Sequence, residues 1–275
     1  MLNREFHVGR IFSLFSAAFC LVSPISGWQS LANTLSDANS SVTVDSTSGN
    51  LSQWTVDGQY QLALQSFWYR IGTGNSTPLS SLGATTVTPL DASSAKVTYA
   101  SSQVSVSVTY FLTGTQPGTG QSDIYENIKL SSLVGPLNFH LFQFSDFDLK
   151  GTLGGDTAYM NTDTGSGLIT GVNQSEGTVT FTAATTGIGP YANFGAIDGS
   201  STGTLPVAGT ANNLNGAISS TTGPNVSWSL QWDFPALTQQ IISEDNYLST
   251  TLVPEPSILA LFSLGLTGFF LRQRS

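Results

Sequence analysis

The fold class is decided by the stretch QVSVSVTY, residues 103–110. Apolar and polar residues alternate strictly along it, with Val104, Val106 and Val108 at every second position. Successive side chains of a β-strand point to opposite faces of its sheet, whereas a helix would need apolar residues three and four positions apart. The stretch therefore predicts a strand with one buried and one solvated face.

The same spacing recurs on both sides of this strand. Asp57-Gly58 and Asn215-Gly216 supply turn signals between such stretches, and helical spacing is almost absent. Many short strands without helical crossovers predict an all-β fold, a large antiparallel β-sandwich of the jelly-roll kind. Two stacked sandwiches that share residues 150–175 are the alternative. The further predicted strands are 41–45, 53–57, 60–71, 96–99, 123–130, 137–148, 177–184 and 226–234.

The rare residues and the charge exclude several classes of function. Only 9% of the 275 residues are charged, and the chain has two histidines, His7 and His140, and one cysteine, Cys20. Zinc fingers and Cys-His nucleophile pairs therefore lack the residues that they need. Residues 33–252 carry four basic side chains against fifteen acidic ones, a net charge of −11. Such a surface repels phosphate, so we expect no nucleic-acid partner.

The first 32 residues predict a secretion signal. Arg4 and Arg10 form a basic start, and the apolar run at 11–22 suits a signal peptide but is short for a membrane span. Small residues at Ser30 and Ala32 place the cleavage after Ala32. The alternative cleavage positions are Ser26 and Gly27.

The C-terminal end combines three parts in a fixed order. Pro254-Glu255-Pro256 comes first, a largely apolar run follows at 258–271, and the chain then carries Arg272 and Arg274. At a helical rise of about 1.5 Å per residue the run spans about 21 Å, against a hydrocarbon core of about 30 Å. Length alone therefore fits either a short anchor or a buried helix. The basic tail favours a single transmembrane helix, because Lys and Arg stay on the cytoplasmic side.

These parts resemble the PEP-CTERM sorting signal of Gram-negative bacteria that make exopolysaccharide. The resemblance covers residues 253–275. It implies that a membrane-embedded exosortase recognises the Pro-Glu-Pro motif and removes the tail. It further implies an inner-membrane-anchored precursor, with Arg272 and Arg274 as cytoplasmic anchor charges, and delivery to the cell surface or the extracellular matrix. Three internal stretches are similar to ectodomains that carry this signal, without implying an activity: 54–58, 67–72 and 142–149.

One candidate binding set joins aromatic rings to a guanidinium. Trp68, Tyr69 and Arg70 follow Phe67 in the predicted strand 60–71, and rings with an Arg are what a glycan contact would use. Alternation along a strand puts Phe67 and Tyr69 on one side and Trp68 and Arg70 on the other. One side must be core, so a structural cation–π pair of Trp68 with Arg70 is the competing interpretation.

Asp146 and Asp148 are the best cluster of carboxylates in the sequence. A continued strand would place both on one face about 7 Å apart, which suits either a weak Ca²⁺ site or a pair acting on a glycosidic bond. An EF-hand loop needs an acid or Asn at the position of Lys150 and a Glu at the position of Thr157, so that type of site is disfavoured. The calcium candidate is therefore a looser site completed by Glu126 or Asp156. Two solvent-facing acids at a strand end are the plain alternative.

His140 stands among alternating aromatics at the same parity as Phe142 and Phe144. This pattern predicts a half-buried histidine that is hydrogen-bonded within its sheet. Once the leader is removed no second histidine is left for a catalytic triad, and neither a Gly-x-Ser-x-Gly elbow nor a phosphate-binding loop occurs.

The sequence thus predicts an exported protein in three parts, a signal peptide at 1–32, a β-sandwich ectodomain at 33–252 and the sorting signal at 253–275. We expect the ectodomain to be a non-enzymatic structural or adhesive component of the biofilm matrix. The alternatives are a carbohydrate-binding module that retains exopolysaccharide and a glycoside hydrolase that uses Asp146 and Asp148. The expected partners are an exosortase, extracellular polysaccharide and the inner membrane, and no cofactor is expected unless Ca²⁺ binds.

Overall fold

The computed structural model describes residues 32–185, 190–200 and 204–250. This part of the chain is all-β, with two short 3-10 turns at Leu79–Ser81 and Leu149–Gly151. The predicted secretion signal, apart from its last residue, and the predicted C-terminal helix at 258–271 lie outside the described residues. The described residues contain no helix that could span a membrane.

The strands are numbered in chain order. They are β1 (Ala32–Asp37), β2 (Ser40–Asp45), β3 (Leu51–Val56), β4 (Gln59–Leu62), β5 (Leu64–Ile71), β6 (Thr77–Pro78), β7 (Ala84–Pro89), β8 (Ser94–Ala100), β9 (Val104–Gly114), β10 (Gln121–Ser132), β11 (Leu137–Asp146), β12 (Thr157–Thr162), β13 (Ile169–Glu176), β14 (Val179–Thr185), β15 (Phe194–Asp198), β16 (Thr221–Thr222), β17 (Ser227–Leu237) and β18 (Gln239–Thr250).

Two large antiparallel sheets contain all of these strands. The first sheet has the order β1-β2-β3-β5-β11-β17-β15, with β4 beside β3 and β6 beside β5. The second sheet has the order β16-β12-β13-β14-β18-β10-β9-β8-β7. Strands β7 to β10 follow one another directly in the chain and form a meander, whereas β18 lies between β14 and β10. The all-β class and the antiparallel pairing are confirmed, and the jelly-roll form stays a prediction.

The alternation of apolar and polar residues at 103–110 gives a strand with one buried face, as predicted. Val104, Val106, Val108 and Tyr110 on β9 are fully buried, and the residues between them are partly exposed. The inward set of β17, which includes Trp228, belongs to the same apolar cluster, so the two sheets bury their faces against each other. Burial of such side chains, at about 25 cal/mol per Å² of apolar surface, is the main force that holds the sandwich together.

An aromatic cluster occupies the space between the sheets. The ring of Phe147 lies 3.9 Å from that of Phe181 on β14, centroid to centroid, and 6.3 Å from that of Trp228 on β17. A polar contact also joins the sheets, since Nε1 of Trp54 on β3 donates to Oγ of Ser122 on β10 at 3.1 Å. Contacts of this kind fix how the inner faces sit against each other.

The described chain forms one sandwich that is not divided at 150–175. Strands from before and after this stretch pair with each other, β10 with β18 and β11 with β17. The main cluster of buried apolar side chains contains Leu35 near its start and Leu248 near its end. The alternative of two stacked sandwiches is therefore wrong.

The long connection from β15 to β16, described at 199–200 and 204–220, covers the outer face of the first sheet. A second apolar cluster joins Phe142 and Phe144 of β11 to Leu205, Val207 and Leu214 of this connection. Strand β11 is therefore buried on both faces from Leu141 to Asp146, which is why its sequence loses the polar half of the alternation.

Candidate functional site

The predicted aromatic and arginine set is split between the two faces of β5. Tyr69 points inward and stacks on Phe139, with the ring centroids 6.0 Å apart and the planes at 12°. Trp68 packs against the second apolar cluster on the outer face, and its Nε1 donates to Oγ of Ser66 at 3.2 Å. The division of alternate residues between two faces was predicted, and it means that the three side chains do not share one surface.

Arg70 is only 3% exposed and binds the covering connection. Its guanidinium donates to the carbonyl of Ala211 at 2.7 Å, to the carbonyl of Asn212 and to Oδ1 of Asn213 at 2.5 Å. The guanidinium carbon lies 5.5 Å from the ring centroid of Phe142, so the cation–π partner is Phe142 and not Trp68. The role that the structure gives Arg70 is to hold residues 211–213 against the sheet, and an open glycan contact formed by Trp68, Tyr69 and Arg70 is not what the fold presents.

An arginine, a histidine and an aspartate form one row across the outer face of the first sheet. Arg70 of β5 lies opposite His140 of β11, which lies opposite Asp233 of β17. Nδ1 of His140 is 2.5 Å from Oδ1 of Asp233, and Nε2 of Gln231 donates to the same oxygen at 2.7 Å. Burial acts to raise the pKa of Asp233, but these hydrogen bonds and the nearby positive charges outweigh it and lower the pKa. His140 is the half-buried, hydrogen-bonded residue that its parity predicts.

Asp146 and Asp148 lie at the end of β11, on either side of an inward-facing Phe147. Strand β11 ends at Asp146, and both carboxylates are 8% exposed, so they are not the solvent-facing acids of the plain alternative. Burial raises the pKa of Asp146 to about 6, and the charge of Asp148 adds to this. Burial is the main cause that raises the pKa of Asp156 to about 7, and the charge of nearby Asp148 adds to it.

The calcium site predicted at this strand end is not formed as expected. Within residues 32–185, 190–200 and 204–250, no group of three or more His, Cys, Asp or Glu side chains is placed to hold a metal ion. Oδ2 of Asp156 accepts a hydrogen bond from Nε2 of Gln174 at 2.5 Å. Glu126, the other residue considered as a ligand, hydrogen-bonds to Gln65 between the two sheets.

An aromatic surface that the sequence did not predict lies on the outer face of the second sheet. Three rings on this face are exposed, Phe111 of β9 by 41%, Tyr159 of β12 by 45% and Tyr247 of β18 by 40%. Tyr125 of β10 stands beside Phe111 with 6.1 Å between the ring centroids. We call the four residues Phe111, Tyr125, Tyr159 and Tyr247 the tyrosine face.

A repeated Asp-x-Tyr motif places two carboxylates at the centre of the tyrosine face. Asp123 of β10 lies opposite Tyr247 of β18, and Tyr125 lies opposite Asp245. Asp123 and Asp245 are therefore diagonal neighbours, and burial together with the proximity of Asp245 raises the pKa of Asp123 to about 7. The motif Asp-x-Tyr at 123–125 and at 245–247 was the available signal, but only the strand register shows that its two copies meet.

The comparisons with known proteins bear on the end of the chain and on the fold. A family model described as the PEP-CTERM protein-sorting motif matches residues 252–275. The chain carries a PEP-CTERM sorting signal. The PEP-CTERM signal implies an exported, membrane-anchored precursor that an exosortase sorts to the cell surface. It begins two residues after β18 ends at Thr250.

The sandwich that precedes the PEP-CTERM signal is similar to part of a larger enzyme structure. A crystal structure of a bacterial glucoamylase complexed with acarbose matches 83% of this chain with a TM-score of 0.57 and 12% sequence identity. The match covers 32% of the glucoamylase chain, so the protein spans about a third of that structure. At this identity the likeness concerns the fold alone. A search of curated proteins found no match.

Proposed function

We propose that the protein is an exosortase-processed, non-enzymatic component of the cell surface or extracellular matrix, with a structural or adhesive sandwich. The observation that carries this proposal is the position of the sorting motif directly after β18. Strand β18 is central in its sheet and pairs with β10 on one side and β14 on the other. All the strands of the sandwich precede the motif, so cleavage within the motif would leave the folded domain intact.

The placement of the candidate catalytic and binding residues supports a non-enzymatic role. His140 is engaged by Asp233, and Arg70 is engaged by the connection that covers the first sheet. Asp146 and Asp148 are each only 8% exposed, whereas a glycosidase needs its carboxylates open to a sugar ring. These side chains contribute to folding, which fits a scaffold or adhesion domain.

Localisation of the full-length chain in an exosortase-bearing host tests the proposal. An epitope tag fits into the exposed turn at 133–135, where Leu133 and Val134 are each 58% exposed. The natural sequence should reach the surface in a form shortened at its C-terminus. A variant with Pro254, Glu255 and Pro256 changed to Ala should stay full length in the inner membrane, as should the natural sequence in a host without exosortase. If both sequences stay full length in the exosortase-bearing host, the apolar run is only an anchor and the matrix proposal is contradicted.

The tyrosine face favours a second candidate function, binding of a polysaccharide. Exposed aromatic rings pack against the apolar faces of sugar rings, and neighbouring carboxylates accept hydrogen bonds from sugar hydroxyls. Asp123 and Asp245 supply such acceptors between the rings. The glucoamylase with a similar fold was solved with acarbose, which adds a carbohydrate context without locating a site on this chain.

A pull-down with the exopolysaccharide of the host tests this candidate. Removal of two exposed rings, Tyr159→Ala and Tyr247→Ala, should weaken retention by about tenfold or more, since each stacked ring contributes on the order of 1 kcal/mol. Trp68→Ala is the matched control, because Trp68 is packed under the covering connection. Loss of retention in the control but not in the double variant would contradict a site on the tyrosine face.

A further inference from the structure

Two glutamates face each other in the interior of the sandwich. Glu126 of β10 is the register partner of Glu244 of β18, and the two residues are 0% and 1% exposed. Both stand at the inward parity of their strands, beside apolar residues such as Ile128 and Ile242. Carboxylates are almost never fully buried unless something compensates their charge.

Side-chain amides from both sheets hold one oxygen of each carboxylate. Nε2 of Gln65 on β5 donates to Oε1 of Glu126 at 2.5 Å, and Nδ2 of Asn246 on β18 donates to the same atom at 2.9 Å. Nε2 of Gln143 on β11 donates to Oε1 of Glu244 at 3.2 Å. These contacts fix the orientation of both carboxylates and leave their Oε2 atoms unused.

Four oxygen atoms of this cluster are buried without a hydrogen-bond partner among the described residues. They are Oε2 of Glu126, Oε2 of Glu244, Oε1 of Gln143 and Oδ1 of Asn246. A buried polar atom left unsatisfied is costly, and each one in a native protein calls for an explanation. While both carboxyls are ionised, all four atoms are acceptors, and either a positive centre or a hydrogen-bond donor would satisfy them.

No basic side chain of the described residues supplies that centre. Arg70 lies on the outer face of the first sheet, and His140 pairs with Asp233 on the same face. Lys96 and Lys129 are exposed on the outer face of the second sheet, and Lys150 lies beside Glu176 at 3.9 Å. Among the described residues, no basic side chain within the sandwich therefore balances the charge of ionised Glu126 and Glu244.

We propose that a divalent cation of the calcium class binds between the sheets, held by free oxygens of Glu126, Glu244, Gln143 and Asn246. Calcium takes carboxylate and amide oxygens as ligands, and softer metals prefer the nitrogen and sulfur donors that this cluster lacks. Two carboxylates match the charge of one such ion. The amide nitrogens orient the carboxylates from outside, as partners of metal ligands commonly do. The ion joins β10 and β18 of the second sheet to β11 of the first.

The test measures calcium binding and thermal unfolding of the full-length chain in detergent at about pH 8, where free carboxylates are ionised. Equilibrium dialysis with CaCl2 should show stoichiometric binding, and CaCl2 should raise the melting temperature by about 5–10 °C relative to EDTA. The near-isosteric variant with Glu126→Gln and Glu244→Gln removes both charges and should lose both effects. If that variant does not fold, Glu244→Gln alone should show the same loss.

The control carries Asp146→Asn and Asp148→Asn, the carboxylates at the end of β11, and should bind calcium as the natural sequence does. Loss of binding in this control, with binding kept in the glutamate variants, would place the ion elsewhere and overturn the proposal. Absence of calcium binding by the natural sequence would also overturn it and would mean that the glutamates are buried in protonated form.

Discussion

His140 and Asp233 lie side by side on β11 and β17, with Nδ1 of His140 2.5 Å from Oδ1 of Asp233. The backbone N–H of Asp233 donates to Oδ1 of Asn193 at 2.7 Å, so the same residue also holds the segment before β15. The pair therefore ties together two central strands and an adjacent loop. Its strength depends on the ionisation of Asp233.

Replacement of Asp233 by Asn should reduce stability in a pH-dependent way. The pKa of Asp233 is lowered in the folded protein, so its contribution is present above the unfolded value of about 3.9 and is lost as the pH falls through the folded value. We expect Asp233→Asn to cost about 1–3 kcal/mol in the free energy of unfolding near neutral pH and less near pH 3. Urea unfolding at both pH values measures this. Asp163→Asn, in an exposed turn, is the control and should change the free energy of unfolding near neutral pH by less than about 0.5 kcal/mol.

Asp156 should make the protein less stable as the pH rises. Its pKa is raised to about 7 by burial, with the charges of Glu176 and Asp148 adding to the effect and the hydrogen bond from Gln174 opposing it. A raised folded pKa means that stability is fully present below the unfolded value of about 4 and is lost up to about pH 7. Asp156→Asn keeps an acceptor for Gln174 and should flatten the fall in melting temperature between about pH 5 and pH 8. An unchanged pH profile would contradict this assignment.

Gly49 and Gly58 provide a matched test of packing against backbone strain. Both have left-handed φ angles, +73° and +76°. A Cβ atom on Gly49 would overlap the ring of Tyr99 and the side chain of Val97, whereas a Cβ on Gly58 would meet no atom within 4 Å. The Tyr99 hydroxyl, which donates to the carbonyl of Ser48 at 2.9 Å, would be displaced as well.

We therefore expect different costs for the two alanine variants. Gly58→Ala should lose about 1–2 kcal/mol, the cost of the left-handed conformation for a residue with a Cβ. Gly49→Ala should lose about 1–3 kcal/mol more, because overpacking adds to the same strain. Urea unfolding of both variants at neutral pH measures the difference, and equal losses would show that the contact with Tyr99 is not limiting.

The alternation of the sequence predicts β9 and β17, whose inward residues are mostly apolar, and misses β18. Strand β9 follows the prediction at 103–110, and β17 follows the prediction at 226–234. Strand β18 was missed because Glu244 and Asn246 occupy inward positions, which removes the period of two from its sequence. Only the fold shows that the amide of Gln143 on the facing sheet donates to Glu244, and that Asn246 donates to Glu126 and to the carbonyl of Ile124 within its own sheet.

The contacts of the candidate site were also only partly predictable from the sequence. The two-sided division of Trp68 and Tyr69 follows from strand geometry alone, and it was predicted. The partners of Arg70 could not be predicted from the sequence. Strand register places Phe142 beside its guanidinium, and the long connection brings the carbonyl of Ala211 to it. The Asp57-Gly58 turn was predictable from local chemistry, and it joins β3 to β4 with both φ angles positive, at 52° and 76°.

Trp228 should be the most costly of the core rings to remove. It stacks on Phe147 with the planes at 9° and on Phe181 with the centroids 5.9 Å apart, so it joins the two sheets through one aromatic cluster. Trp228→Ala should lose about 3–5 kcal/mol in the free energy of unfolding, because a large ring leaves a cavity that close-packed neighbours cannot fill.

Trp228→Phe should lose clearly less, since it keeps an aromatic ring and removes the indole Nε1, which has no hydrogen-bond partner among the described residues. Tyr159→Ala, on the exposed outer face, is the control at less than about 0.5 kcal/mol. A loss for Trp228→Phe as large as that for Trp228→Ala would mean that the exact shape of the indole, and not aromatic packing, holds the sheets together.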